Sequence, residues 1–136
     1  MAAHPLNVFQ VAGRAMSAQL VRLNTTASNL ANAGTVSSSA EAAYKTMKPV
    51  FRTSFDKVSG LATVDVESIV QAGGPPTKQY DPSNPLADKD GNIFTAAVDE
   101  TRELVDMMET ARNYQNNVEV MQTAKSLIID TLKLGR

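Results

Sequence analysis

Asp88, Asp90 and Asn92 alternate in "DKDGN" and are the side chains whose spacing most suggests chemistry. Oxygen donors at alternate positions open a calcium loop of the helix–loop–helix type. The pattern then fails. Its sixth position, where the sharp turn needs glycine, is Ile93, and its twelfth, where a bidentate glutamate belongs, is Asp99. An ordinary Asp-Gly turn is the better reading. His4 is the single histidine, and there is no cysteine. Disulfides, thiolate zinc sites and cysteine nucleophiles are thereby excluded, and a zinc site would have to be built from carboxylates alone. Ser37, Ser38 and Ser39 have no histidine placed to activate them and read as a flexible linker. "GGPP" at 73–76 is followed neither by Lys-Ser/Thr nor by a helix, so it is not a phosphate loop. No catalytic, cofactor-binding or metal-binding residue is assigned, no cofactor is expected, and the chain does not read as an enzyme.

Composition narrows the partners. A net charge of −1 gives no electrostatic case for nucleic acid or an anionic membrane. No stretch approaches the ~20 apolar residues that span a bilayer. "MAAHPLNVFQVAGRAM" lacks a basic region followed by an apolar run, so a cleaved secretory signal is not expected. Apolar residues make up 43 % but aromatics only 5 %. That balance suits helix seams better than a compact aromatic core.

Three regions follow from periodicity: an N-terminal helix within 1–35, an irregular and partly β insertion over 36–97, and a long C-terminal helix within 98–136. In the first, Phe9, Met16, Leu23 and Leu30 recur every seven residues, and Leu20 and Ala27 join the same stripe. Asn7 reads as its N-cap, with Gln10 three residues on, and Gly34 as its stop. In the last, Leu104, Ala111, Val118, Lys125 and Leu132 form one heptad row and Met107, Tyr114, Met121 and Ile128 the other. Only Lys125 interrupts the apolar pattern, and a polar residue there could fix register with a neighbour. Asp99 is the expected N-cap. The insertion holds every proline but Pro5. "KPVFRTSF" and "LATVDVESIV" alternate as two strands that could pair. The expectation is a mainly α chain, its two terminal helices paired as an antiparallel coiled coil.

Charge is missing where solvated helices usually carry it. None occurs between Arg22 and Glu41, and none in "NYQNNV" between Arg112 and Glu119. Desolvating charge is expensive, whereas amides can pair across a contact. Thr25, Ser28, Asn29 and Asn32 lie roughly opposite the first apolar stripe. Together with Asn113, Gln115, Asn116, Asn117 and Lys125 they are the candidate subunit interface.

"ASNLANAGT" resembles the "ANNLANxxT" signature of bacterial flagellar rod and hook proteins. "ARNYQNNVEVMQTAKSLIIDTLKLG" is similar to the ending of a short rod member of that family, and "YDPSNPLADKDGNI" to its "YxPxxPLADxxGYV" segment. Two positions depart from that member: Ala96-Ala97-Val98-Asp99 stands where it has "PNVD", and Asn116 replaces an alanine. The resemblance implies a structural subunit of the proximal rod of the flagellar basal body, in the periplasm. Such a subunit assembles into a helical tube that transmits torque and encloses the export channel. The implied partners are copies of itself, FlgB, FlgF, FlgG and a FliE-like adaptor, with the flagellar type III export apparatus during secretion. A FlgB-like rod protein, or a helical adaptor resembling an export chaperone, is the alternative.

Overall fold

The computed structural model describes residues 5–135. His4 lies outside them. Two helices, α1 (Pro5–Ala31) and α2 (Glu100–Leu134), enclose five strands in the chain order β1 (Val36–Ser37), β2 (Met47–Asp56), β3 (Leu61–Gln71), β4 (Thr77–Tyr80) and β5 (Asn92–Thr95). Among the described residues helix accounts for 47 % and strand for 24 %. The expectation of a mainly α coiled coil is therefore corrected to a mixed α/β fold with two antiparallel sheets.

α2 starts at Asp99, whose carboxylate accepts from the Arg102 N–H at 3.1 Å, and ends at Gly135. Asn7 lies inside α1 instead of capping it. α2 runs back along α1: Glu103 meets Asn29, Asp106 meets Arg22, and Asn117 and Val120 border the same cleft as Val8. The face that α2 buries is not the heptad read from sequence. Met107, Tyr114, Met121 and Ile128 are half-buried, as one row should be. The second row is Glu103, Thr110, Asn117 and Ala124, one residue earlier than Leu104, Ala111, Val118 and Lys125. One residue is about 100° of helix rotation, so the apolar row sits on a flank, with Leu104 52 % exposed. Small side chains occupy the contact instead. Ala12, Ala18 and Thr26 are buried on α1, and Thr110 is wholly buried with its hydroxyl donating back to the Asp106 carbonyl at 2.6 Å. Leu20, Ala27 and Leu132 are exposed, while Phe9, Met16, Leu23 and Leu30 are half-buried.

The β2–β3 hairpin covers a second side of α1, which is why the helix pair alone does not describe the core. β2 and β3 pair antiparallel from Met47↔Gln71 to Asp56↔Leu61, with a register shift after Val50 that leaves Glu67 unpaired. The Arg14 guanidinium donates to Asp65 at 2.6 Å, and Leu61 borders the cleft next to Val8 and Val11. Phe55 points away and is 62 % exposed. The second sheet has the order β1-β5-β4. Its β4–β5 connection is the "DPSNPLADKDG" segment, folded by side chains onto its own backbone. Asp81 accepts from the Ser83 N–H, and Asp88 accepts from the Asp90 and Asn92 N–H groups. The carboxylate of Asp88 is held below the usual carboxylate range, first by the Asn92 backbone N–H. These residues close a turn, as the failed calcium spacing required.

Gly91 has φ of 77°, and a Cβ there would lie 2.9 Å from Tyr80 Cε2 and 3.1 Å from Pro82 Cβ. Gly60, in the turn of the β2–β3 hairpin, has φ of 68° but open space around it. Gly60→Ala should therefore cost about 1 kcal/mol from backbone strain alone, and Gly91→Ala clearly more, about 2–3 kcal/mol. Denaturant midpoints of the two variants check the order; equal losses would contradict it.

Candidate assembly interface around Asn29

Asparagine is a poor residue for a helix interior because its amide competes for nearby backbone groups. Asn29, in the last turns of α1, is 1 % exposed and spends its amide on other segments. Its Nδ2 donates to the Met47 carbonyl at 2.9 Å and to Glu103 Oε2 at 3.0 Å. Its Oδ1 accepts from the Met47 N–H at 2.9 Å and from the Tyr44 hydroxyl at 2.8 Å. Two donors and two lone pairs are all used, which is the full capacity of an amide. α1, the segment before β2, β2 itself and the first turn of α2 are thus tied at one side chain.

Glu103 is 4 % exposed, and the Asn29 amide supplies its side-chain hydrogen bond. Close by, Arg22 and Asp106 pair across the helices at 3.8 Å. Burial raises the Tyr44 phenol above its ordinary value, and the Glu103 carboxylate pushes it in the same direction. Tyr44 therefore remains a donor at neutral pH.

The candidate interface residues divide between inside and outside. Thr25 is buried and its hydroxyl donates to the Val21 carbonyl at 2.8 Å, and Asn29 is interior. Ser28 and Asn32 line a groove of about 480 Å³ between α1 and the hairpin base, walled across from them by Tyr44, Met47 and Ile69. No charged side chain lines that groove. Asn113 and Asn117 are half-buried, whereas Gln115, Asn116 and Lys125 are exposed. Next to them α2 displays large apolar side chains, including Met108 at 70 % exposure, Leu127 and Leu134. Among the described residues no group of three or more His, Cys, Asp or Glu side chains could hold a metal ion.

Sequence reasoning missed Tyr44 and Glu103 as partners of Asn29. The available signal was an asparagine set among buried threonines in a stretch without charge. Its partners lie 15 and 74 residues away, beyond any local periodicity.

Two family models match the segments that meet at this junction. Residues 9–36 match the flagella basal body rod protein model, and residues 90–134 match the C-terminal model of the flagellar basal body rod FlgEFG proteins. Similarity to individual proteins extends through the insertion as well. The chain is 42 % identical over 133 residues to the flagellar basal-body rod protein FlgC of Salmonella typhimurium, covering 96 % of this chain and 98 % of that one. The chain belongs to the FlgC family. FlgC of Escherichia coli O157:H7 is 40 % identical over 131 residues, covering 96 % and 98 %. FlgC of Agrobacterium fabrum is 31 % identical over 126 residues, covering 92 % and 91 %. Membership of this family makes the chain a structural subunit of the flagellar basal-body rod. No helix among the described residues is long and apolar enough to cross a membrane.

Asn29→Asp removes both amide donors and puts a carboxylate against Glu103, so it should destabilise the isolated chain by about 2–4 kcal/mol at pH 7. The deficit should shrink as pH falls towards 5, because the introduced carboxyl, once protonated, can donate to Glu103. The Asn32 side chain donates to the Ser28 carbonyl at 2.8 Å, near the end of α1, with no second partner among the described residues, and Asn32→Asp should cost about 1 kcal/mol or less. Thermal melts across pH test the pair, and equal losses would remove Asn29 from its special position. Tyr44 makes a separate prediction. Its folded pKa exceeds the unfolded one, so its contribution is complete below about pH 10 and is lost as pH rises through the folded value. Tyr44→Phe should be less stable at neutral pH and should flatten that alkaline decline; an unchanged slope would contradict it.

Proposed function

We propose that this chain builds the proximal part of the rod, packing with copies of itself and with other rod proteins into a helical tube that transmits torque and surrounds the export channel. FlgB, FlgF, FlgG and a FliE-like adaptor are the proposed neighbours. The flagellar type III export apparatus is the proposed route to the periplasm, without cleavage of a signal. The role proposed is mechanical rather than enzymatic.

End-to-end similarity to FlgC proteins is the observation that carries this reading. The physical character of the surface supports it. The largest side chains under 2 % exposure are Asn29 and Thr110, while Phe55, Met108, Leu127, Leu132 and Leu134 are each more than 60 % exposed. A chain that hides its small residues and displays its large apolar ones resembles half of an interface. Contacts that are heterologous and do not close on themselves give tubes or filaments rather than dimers. Gln115, Asn116 and Lys125 on α2, with Ser28 and Asn32 at the groove, are proposed contact residues.

Met108→Glu tests the proposal. The side chain is exposed, so the isolated chain should melt within about 0.5 kcal/mol of the unaltered one. In a motile bacterium whose own FlgC is replaced by this chain, the variant should be missing from purified basal bodies and the cells should not swim. Normal incorporation and swimming would exclude that face of α2 from subunit contacts. Failure of the unaltered chain to enter basal bodies would contradict the rod assignment itself.

A further inference from the structure

β1 and β4 are the outer strands of one sheet, β2 and β3 those of the other. An unpaired outer edge is a template for another strand. Two of these edges are closed. β1 is only two residues long. On β2 the Asn29 amide takes both the N–H and the C=O of Met47, and Pro49 has no N–H to offer. The outer edges of β3 and β4 are left.

Hydrogen-bond alternation fixes which groups point out from them. Met47 stands opposite Gln71 but gives both its backbone groups to Asn29, so that pair carries no ladder bonds. The Ala72 N–H donates to the Thr46 carbonyl at 2.7 Å, as the neighbouring bonded pair must. Pro49 and Ile69 form the next pair without ladder bonds. The N–H and C=O of Ile69 and of Gln71 therefore point away from β2. On β4 the Asp81 N–H donates to the Gly91 carbonyl at 2.9 Å, so Tyr80 and, two residues back, Lys78 point theirs away from β5. None of these outward groups has a partner among the described residues.

We propose that the open edge of β3, at Ile69 and Gln71, pairs with β4 of a second copy, at Lys78 and Tyr80. Run antiparallel, Tyr80 meets Ile69 and Lys78 meets Gln71, and each outward donor finds an acceptor. Tyr80 is 71 % exposed and Ile69 47 %, and an aromatic opposite a β-branched residue is a favourable cross-strand pair. Ile69 also lines the uncharged groove beside α1, so the incoming Tyr80 ring has an apolar wall to cover. Charge selects this pairing. β3 carries Asp65 and Glu67 and no base, whereas β4 carries Lys78 and no acid. Joining β3 to β3, or β4 to β4, would gather like charges in one sheet. Pro75 and Pro76 before β4 and Pro82 after it keep the contact short. The two edges are different surfaces of one chain, so the contact repeats head to tail without closing on itself. This inference rests on the reading that copies pack against one another, and goes further by naming the strands.

The chain has no cysteine, so introduced thiols report only the contact. Full-length isolated chains carrying Ile69→Cys and Tyr80→Cys are mixed at high concentration and oxidised. The mixed 69–80 dimer should exceed each same-site dimer by about fivefold or more, because residues facing each other across strands meet disulfide geometry. Adding Gln71→Pro to the Ile69→Cys chain removes one outward N–H and no ladder bond. It should leave the Tm unchanged and cut the mixed dimer by about fivefold or more. Absence of a disulfide-linked dimer overturns the pairing. So do same-site dimers as abundant as the mixed one, or undiminished cross-linking with Gln71→Pro. A Gln71→Pro chain that fails to fold contradicts the outward placement of that N–H and overturns it too. The mixed dimer of isolated chains would stand even if the unaltered chain failed to enter basal bodies, a failure that contradicts the rod assignment alone.

Discussion

A single buried amide with all four of its hydrogen bonds filled holds this chain in its shape. Leaving a buried donor or acceptor unmet costs about 1–3 kcal/mol, and more beside a charge, so each of the four bonds at Asn29 counts, and the one to Glu103 serves two buried groups at once. Thr25, Thr26, Ala33, Ala43, Thr46, Ile93 and Ala96 are the other buried residues of the segments that converge there, among the described residues. Both sheets and both helices reach this one end of the molecule. Away from it, burial thins to Ala12, Ala18, Thr63, Thr110 and Ala124.

Such a core is modest for its length. It is made of alanine, threonine and one isoleucine, with an asparagine and a glutamate inside. Apolar burial stabilises at roughly 25 cal/mol per Å², so small side chains contribute little each. The large apolar residues that could contribute more are turned outwards on α2 and on the hairpin. Specificity within the subunit is thus polar and geometric, and many large apolar side chains of α2 and the hairpin remain exposed. That division suits a part made to be built into something larger.

The helices and the strand pairing were legible because they rest on local periodicity and on caps such as Asp99. The fold class was not. Counting the alternating strands as a loose insertion hid the fact that β2 and β3 cover a whole side of α1. The heptad in α2 was misread for a related reason. Leu104, Ala111 and Val118 carry the apolar signal, but Leu104 is exposed and Ala111 and Val118 are only half-buried, whereas Glu103, Thr110 and Ala124 are buried, because close helix approach selects small or hydrogen-bonded side chains over large ones. Periodicity reports where apolar residues are, and not whether the surface they face lies in the same chain. The uncharged stretch around "NLAN" drew notice to Asn29 and Asn32 alike. Only the geometry separates them, placing Asn29 at the centre of the fold and Asn32 at a groove on its surface.

α1 and α2 run in opposite directions and are bolted together at the end where Asn29 meets Glu103. Their other ends, near Val8 and Leu127, border one cleft with no comparable fastening among the described residues. Mechanical response should then depend on direction. A force that spreads the free ends loads one helical turn at a time and opens the pair like a zipper. A force directed along the helices loads every turn at once, in shear, together with the bolt. The same set of weak contacts is compliant in the first direction and stiff in the second, so the subunit resists loads along its helices better than loads that pry them apart.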